Sequence, residues 1–185
     1  MDISSKRSII FLTGFMGSGK STIGPILANT IGYGFVDLDL LIEQRQHLKI
    51  GDIFKQSGEK EFRELERTFL REIAKTPRTV ISLGGGTITD QLTIDLVKES
   101  GVLIYLKASS EYIYKRLRTK SDRPMLRTED GQLMDSDQLQ HRIEELLAQR
   151  KKYYEQAEVI IHTDDKKIGN TIDELVRRLR QYIEE

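Results

Sequence analysis

The chain has 185 residues, 38% of them hydrophobic, which is typical of a globular chain with its own core rather than a disordered one. Acidic and basic residues balance at 29 each, so charge provides no reason to expect a nucleic-acid partner. The chain has no cysteine, which excludes disulfides and thiolate metal sites, and its three histidines show no metal-ligand spacing.

The first predicted element is a buried strand at 8–12, an apolar run that follows Lys6 and Arg7. Basic residues before an apolar run are also found in secretory signals, but this run is short and no small-residue cleavage site follows it. Nowhere does the sequence approach the ~20 apolar residues of a membrane span. We therefore expect a core strand in a cytoplasmic protein without a membrane partner.

The segment 14–21, GFMGSGKS, fits the phosphate-binding pattern G-x-x-x-x-G-K-[ST] at every fixed position. A helix is predicted directly after it, at 20–31, and a strand–loop–helix context is what this pattern requires. Backbone N–H groups in such a turn, with the positive end of the new helix, attract phosphate oxygens. Lys20 would reach the β- and γ-phosphates and Ser21 would bind Mg²⁺. The predicted ATP contacts in this loop are Gly17, Ser18, Gly19, Lys20, Ser21 and Thr22. The alternative is a glycine-rich turn that only joins strand to helix.

Strand and helix patterns alternate along the rest of the chain. Further strands are predicted at 34–37, 79–83, 102–106 and 159–162. Further helices are predicted at 40–46, 59–74, 91–99, 111–117, 138–156 and 168–183. Short apolar strands alternating with helices predict an α/β fold, in which helices cover both faces of a parallel sheet.

The polar segment 120–137 has little periodicity and is predicted to be a long loop. It is either an ordinary surface loop or a lid over a binding site. Phosphoryl transfer requires the exclusion of water, so a lid that carries Arg123 would serve that chemistry.

Ligands of such sheets bind beyond the carboxyl ends of the strands. Asp37 and Asp39 follow the second strand, and in an extended segment both carboxylates would lie on one side. One could bind Mg²⁺ and the other could accept the proton of a substrate hydroxyl. The alternative is that both aspartates cap a helix that begins at Leu40. The third strand is followed by Gly84–Gly86, which is either a backbone ligand contact or a flexible turn.

A further pattern, F-x-x-x-G-E-x-x-F-R-x-x-E, runs from Phe54 to Glu66. On a helix, Glu59, Arg63 and Glu66 would share one face. The spacing alone predicts only a solvated ladder of salt bridges.

Taken in order, these motifs resemble the shikimate kinase family over nearly the whole chain. The resemblance rests on the phosphate loop, the aspartate pair, the pattern from Phe54 to Glu66, the triple glycine, Arg123-Pro124, and Arg150 before Tyr154. It implies a three-layer phosphate-loop fold of the nucleoside-monophosphate-kinase type, with a five-stranded parallel sheet in the order 2-3-1-4-5. It also implies one domain over 1–185, a lid at about 120–137 and an acceptor-binding helical segment at about 39–66.

The function implied by the resemblance is transfer of the γ-phosphoryl group of ATP to the 3-hydroxyl of shikimate, with Mg²⁺. This reaction belongs to chorismate and aromatic amino-acid biosynthesis, and the resemblance further implies a monomer. The implied catalytic residues are Lys20, Asp39 and Arg123, and Ser21 with Asp37 would hold the metal. The implied shikimate-binding residues are Asp39, Arg63, Gly85, Gly86 and Arg150. Arg116 would pack on the adenine, and Arg123 would also contact the phosphates of ATP.

Two other functions are open at this point. One is a related small-molecule kinase that acts on gluconate or on a nucleoside monophosphate. Arg63 with Asp39 favours a small polyhydroxy acid over a base. The other is a nucleotide-binding switch without turnover, which would need none of the acceptor-site residues.

Overall fold

The computed structural model describes residues 7–118, 132 and 134–183, and these contain one parallel sheet. Its strands are β1 (Ile9–Thr13), β2 (Gly34–Asp37), β3 (Thr79–Ser82), β4 (Val102–Lys107) and β5 (Val159–His162). They lie in the order β2-β3-β1-β4-β5, which confirms the predicted order. Since β1 is the central strand, the segment that follows it lies in the middle of the row formed by the carboxyl ends of the strands.

Seven helices connect or follow the strands in the described ranges. They are α1 (Lys20–Ile31), α2 (Leu38–Gln46), α3 (Ile50–Ile73), α4 (Gln91–Ser100), α5 (Ser110–Leu117), α6 (Ser136–Tyr154) and α7 (Ile168–Leu179). None of these helices has a stretch long and apolar enough to cross a bilayer.

Side chains of β1 pack alternately on the two faces of the sheet. Ile10 and Leu12 belong to a core with residues of α1 and α7, whereas Ile9 and Phe11 belong to a core with residues of α3 and α4. Every residue of β1 is buried. The strand reads as a continuous apolar run because both of its faces are covered, and the predicted three-layer α/β architecture is confirmed.

Two of the differences between the observed and the predicted elements, at α2 and α3, concern the predicted site residues. Helix α2 begins at Leu38 rather than at residue 40, so Asp39 lies in the first turn of the helix and the condition of an extended segment is not met. Helix α3 begins at Ile50 and is interrupted at Gly58 (φ 79°, ψ 172°), so a helical part at 50–57 was missed. That part covers only about two turns, which is too short for a clear helical period.

The carboxyl ends of three neighbouring strands bring the predicted motifs together. The phosphate loop (residues 14–21) follows β1, Asp37 ends β2, and the glycine turn (residues 84–86) comes shortly after β3. Ser82 of β3 is in register with both Leu12 and Asp37. The sheet therefore places the phosphate loop, Asp37 and the glycine turn side by side.

Most of the predicted lid falls in residues 119–131 and 133, which lie outside the described ranges, and Arg123 is among them. The last two residues of the predicted segment, 136 and 137, form the first turn of α6.

Candidate active site

The phosphate loop turns sharply between β1 and α1. Gly14, Gly17 and Gly19 all have positive φ, at 144°, 83° and 106°. A Cβ on Gly14 would lie 2.6 Å from the carbonyl oxygen of Leu106, so this turn requires glycine. No side chain caps the start of α1 and its first turn contains no acidic residue, which leaves the positive end of the helix for an anion.

Lys20 is held against the backbone of this loop. The side chain is only 8% exposed, and Nζ donates to the carbonyl oxygens of Gly14 at 2.6 Å and Phe15 at 3.1 Å. The ammonium charge of Lys20 is therefore held within the loop and not in bulk water. An anion bound by the loop would contact this charge.

Ser21, the last residue of the loop, and Asp37 place two side chains with oxygen atoms that could bind a metal next to each other. The Ser21 hydroxyl lies 3.4 Å from Oδ2 of Asp37, and Oδ1 of Asp37 accepts from the N–H groups of Asp39 and Leu40. Asp37 is thus both the N-cap of α2 and a neighbour of Ser21. The helix-capping interpretation and the metal-binding interpretation of this aspartate are therefore compatible.

These two donors fit Mg²⁺, which prefers oxygen ligands and commonly takes one or two protein groups plus phosphate and water. The described residues contain no group of three or more acidic or histidine side chains that could hold a metal by themselves. A metal at this site would therefore need the phosphates of a nucleotide to complete its ligands.

The glycine turn allows two functional side chains to approach the backbone closely. A Cβ on Gly84 would lie 2.5 Å from Oδ1 of Asp39, and a Cβ on Gly86 would lie 2.6 Å from Nη2 of Arg63. A side chain at either position would displace these groups. The turn thus brings together Asp39 and Arg63, which are far apart in the sequence.

Arg63 is fixed by a buried carboxylate. Its Nη1 donates to Oε2 of Glu66 at 2.7 Å, while Nη2 donates to the exposed Glu59 at 3.2 Å. Glu66 is 2% exposed and also accepts from the hydroxyl of Thr87. The prediction of a solvated ladder therefore fits Glu59 but is wrong for Glu66.

Packing and charge also hold the Arg63 guanidinium. It lies over the rings of Phe54 and Phe62, at 5.9 and 5.4 Å from their centroids. Burial acts to lower the pKa of Arg63, but the charge of Glu66 and the hydrogen bonds to Glu66 and Glu59 outweigh it and raise the pKa. Arg63 therefore remains a cation, and its guanidinium is held in one orientation by these contacts.

Helix α6 supplies a second arginine to the same turn. Arg150 is 4% exposed, and its Nη1 donates to the carbonyl oxygen of Gly85 at 2.6 Å. Its guanidinium also lies 5.4 Å from the ring centroid of Phe15 in the phosphate loop. Arg150 therefore contacts both the phosphate loop and the glycine turn. Arg63 and Arg150 both lie against the glycine turn.

Arg116 lies beside the phosphate loop on α5. Its Nη1 donates to the carbonyl oxygen of Gly17 at 2.9 Å, and its guanidinium lies 4.7 Å from the ring centroid of Tyr112. Of the other predicted loop contacts, Thr22 is exposed, whereas Ser18 is buried and its N–H donates to Phe15 at 3.1 Å. Ser18 contributes to the shape of the loop.

Two buried residues at this site were not predicted from the sequence to act on the glycine turn. Thr87 holds Glu66, and the hydroxyl of Tyr154 donates to the carbonyl oxygen of Gly85 at 2.7 Å. The sequence signals for Tyr154 are its place after Arg150 in the family pattern and its position one helical turn from that arginine.

The fold and the loop define a phosphate-loop protein of the nucleoside-monophosphate-kinase type. The family model for shikimate kinase matches residues 16–180, and a shikimate kinase from Chlorobium chlorochromatii (strain CaD3) is 45% identical over 98% of this chain and 95% of its own length. The chain belongs to the shikimate kinase family.

Solved structures agree with this assignment. The crystal structure of shikimate kinase from Bacteroides thetaiotaomicron has a TM-score of 0.85 and 34% identity, with 93% of this chain and 98% of that one covered. Shikimate kinase from Acinetobacter baumannii, solved in complex with shikimate, has a TM-score of 0.83 and 28% identity, with coverage of 95% and 93%.

Proposed function

We propose that this protein transfers the γ-phosphoryl group of ATP to the 3-hydroxyl of shikimate and releases shikimate 3-phosphate and ADP. The observation that carries the proposal is the convergence of Arg63, Arg150 and Asp39 on the glycine turn, next to the phosphate loop. Two arginines and a carboxylate match a small acid that also carries hydroxyl groups. The reaction belongs to the biosynthesis of chorismate and aromatic amino acids.

The donor side would act by positioning and by charge. Backbone N–H groups of the loop and the start of α1 would hold the phosphates, and Lys20 would stabilise the charge on the transferring group. Ser21 and Asp37 would hold Mg²⁺, which when bound offsets negative charge on the β- and γ-phosphates. Arg123, whose role rests on the sequence resemblance alone, would add a further cation.

The acceptor side would orient one hydroxyl toward the donor. Arg63 and Arg150 would each form charge-assisted hydrogen bonds with the carboxylate of shikimate, and Glu66 would keep Arg63 aligned for that contact. Asp39 would accept a hydrogen bond from the attacking hydroxyl and take up its proton as the new bond forms. In a loose transition state, this orientation matters more than early proton removal.

The remaining roles complete the proposal. Arg116, beside Gly17, would pack on the adenine of ATP. Gly85 and Gly86 would line the shikimate pocket with backbone atoms. We further propose a single domain that acts as a monomer in the cytoplasm, without a nucleic-acid or membrane partner.

The test is ADP release in the presence of ATP and Mg²⁺, measured with and without shikimate. We expect release to depend on shikimate and to remain at background with gluconate or a nucleoside monophosphate. Release that gluconate or a nucleotide supports equally well would assign the protein to another small-molecule kinase. ATP binding without turnover on any acceptor would show that the protein is a nucleotide-binding switch.

A further inference from the structure

The glycine turn (residues 84–86) must combine two opposing properties, namely the absence of side chains and a fixed backbone. Gly84 and Gly86 are needed because side chains there would collide with Asp39 and Arg63. Three consecutive glycines also have the greatest backbone freedom of any sequence, which opposes a rigid binding surface. A precise pocket wall at this position therefore requires contacts that restrain the backbone from outside the turn.

The strongest such restraint is on the Gly85 carbonyl. Its oxygen accepts one hydrogen bond from Nη1 of Arg150 at 2.6 Å and a second from the hydroxyl of Tyr154 at 2.7 Å. Two donors use both lone pairs of one carbonyl oxygen. Because both donors belong to α6, this helix fixes the direction in which the carbonyl points.

Tyr154 is well suited to act as a fixed donor. It is the last residue of α6 and is fully buried, and its ring packs on that of Tyr105 with the centroids 5.0 Å apart. Burial raises the pKa of Tyr154 although the charge of Arg150 opposes the shift, so the phenol stays protonated and able to donate. Tyr154 also lies one helical turn from Arg150, so the two donors move together.

The restraint has a consequence for the rest of the turn. The Gly85 carbonyl and the Gly86 N–H belong to one planar peptide unit and point in opposite directions. When α6 holds the carbonyl, the Gly86 N–H must point away from α6. The same bond fixes one nitrogen of the Arg150 guanidinium against the glycine turn.

We propose that Tyr154 is a positioning residue of the acceptor site, which orients the glycine turn and Arg150 through the Gly85 carbonyl. This inference rests on the proposed function, and it adds to that function a residue that need not touch the substrate. Its contribution should appear in shikimate binding and not in ATP binding, because the Tyr154 hydroxyl donates to the glycine turn and not to the phosphate loop.

The test is Tyr154→Phe, which keeps the buried ring and removes only the hydroxyl. We expect the KM for shikimate to rise on the order of five-fold, as for the loss of one neutral hydrogen bond, while the KM for ATP stays within about two-fold of wild type. The matched control is Tyr105→Phe, which removes a hydroxyl from the neighbouring ring and leaves both bonds to Gly85 intact. We expect its shikimate KM to equal that of wild type.

Two results would overturn the inference. In one, Tyr154→Phe has the same shikimate KM as Tyr105→Phe. In the other, Tyr154→Phe unfolds, or its melting temperature falls by more than about 8 °C while both KM values rise together, which would assign Tyr154 a purely structural role. A wild-type protein that releases no ADP in response to shikimate would instead remove the proposed function, and the present inference with it.

Discussion

The two halves of the site are built in different ways. The proposed donor half comprises the phosphate loop (residues 14–21) and Asp37, and most of it is one continuous segment whose backbone N–H groups would bind phosphate. The acceptor half comprises Asp39, Arg63, the glycine turn and Arg150, which approach one another only in the folded chain. Arg150 and Gly85, for example, are 65 residues apart.

This difference teaches where each kind of substitution should act. In the proposed function, the donor half would stabilise the charge that develops on the transferring phosphoryl group, so substitutions there should lower kcat. The acceptor half would hold the carboxylate of shikimate, which the reaction does not change, so substitutions there should mainly raise the KM for shikimate. The predictions below test this division from the largest effect to the smallest.

Lys20→Ala should have the largest effect. The Lys20 ammonium group is held in the phosphate loop and acts most strongly on the transition state, so we expect kcat to fall by about three orders of magnitude. The measurement is ADP release at saturating ATP and shikimate. Lys55→Ala, on a side chain that is 82% exposed, is the control and should retain wild-type activity. Near-normal turnover of the Lys20 variant would contradict the assignment of the donor half.

Arg63→Ala should raise the KM for shikimate by about 100-fold, because it removes a charge-assisted contact to a carboxylate. ATP affinity, measured by calorimetry, should be unchanged. The control is Arg67→Ala, one turn along the same helix, where the arginine pairs with Glu64 and Asp90 instead. If the Arg63 variant lost ATP affinity instead, Arg63 would belong to the support of the fold rather than to the acceptor half.

Gly86→Ala should raise the KM for shikimate by about ten-fold. The new methyl group would lie 2.6 Å from Nη2 of Arg63, so the guanidinium must shift from its present position. Gly169→Ala in α7 is the matched control, since a Cβ there meets nothing within 4 Å. The control should keep its activity and gain up to about 1 kcal/mol of stability. Equal kinetics for the two variants would show that close packing of the turn is unimportant.

Glu174→Gln should have the smallest effect and should alter neither half. Lys166 and Arg178 donate to this carboxylate at 2.9 and 2.8 Å, and the bond from Lys166 is the largest cause of its lowered pKa. A lowered pKa in the folded state stabilises the protein above the ordinary value of 4.5, and this stabilisation is lost as the pH falls.

We therefore expect Glu174→Gln to lower the free energy of unfolding by less than about 1 kcal/mol at neutral pH. The difference from wild type should disappear in acid, as measured by urea unfolding at both pH values. Asp173→Asn, on the exposed neighbouring residue, is the control. A change in shikimate KM in the Glu174 variant would show that the ion pairs on α7 are coupled to the site.

Much of the fold was predictable because its signals are local. The strands at 34–37 and 159–162 have the predicted bounds, since short apolar runs between turns mark strands. The helical part at 50–57 was missed because the interruption at Gly58 leaves only a short pattern before it. The start of α2 was placed two residues late because Asp37 caps the helix directly from the end of the strand.

The local sequence is enough to specify the phosphate loop. Eight consecutive residues specify the loop, since its glycines set the turn and its helix follows at once. The order of motifs along the chain also identified the family, which the comparisons confirm.

The contacts that hold the acceptor half form only when distant parts of the chain pack together. The residue pattern of α3 predicted that Glu66 lies near Arg63, but the burial of Glu66 and its hydrogen bond from Thr87, the residue after the glycine turn, depend on contacts with another part of the chain. Likewise, the bonds from Tyr154 and Arg150 to Gly85 depend on how α6 packs against the sheet. Local spacing determines which groups share one element, whereas contacts between elements depend on packing, which no short pattern encodes.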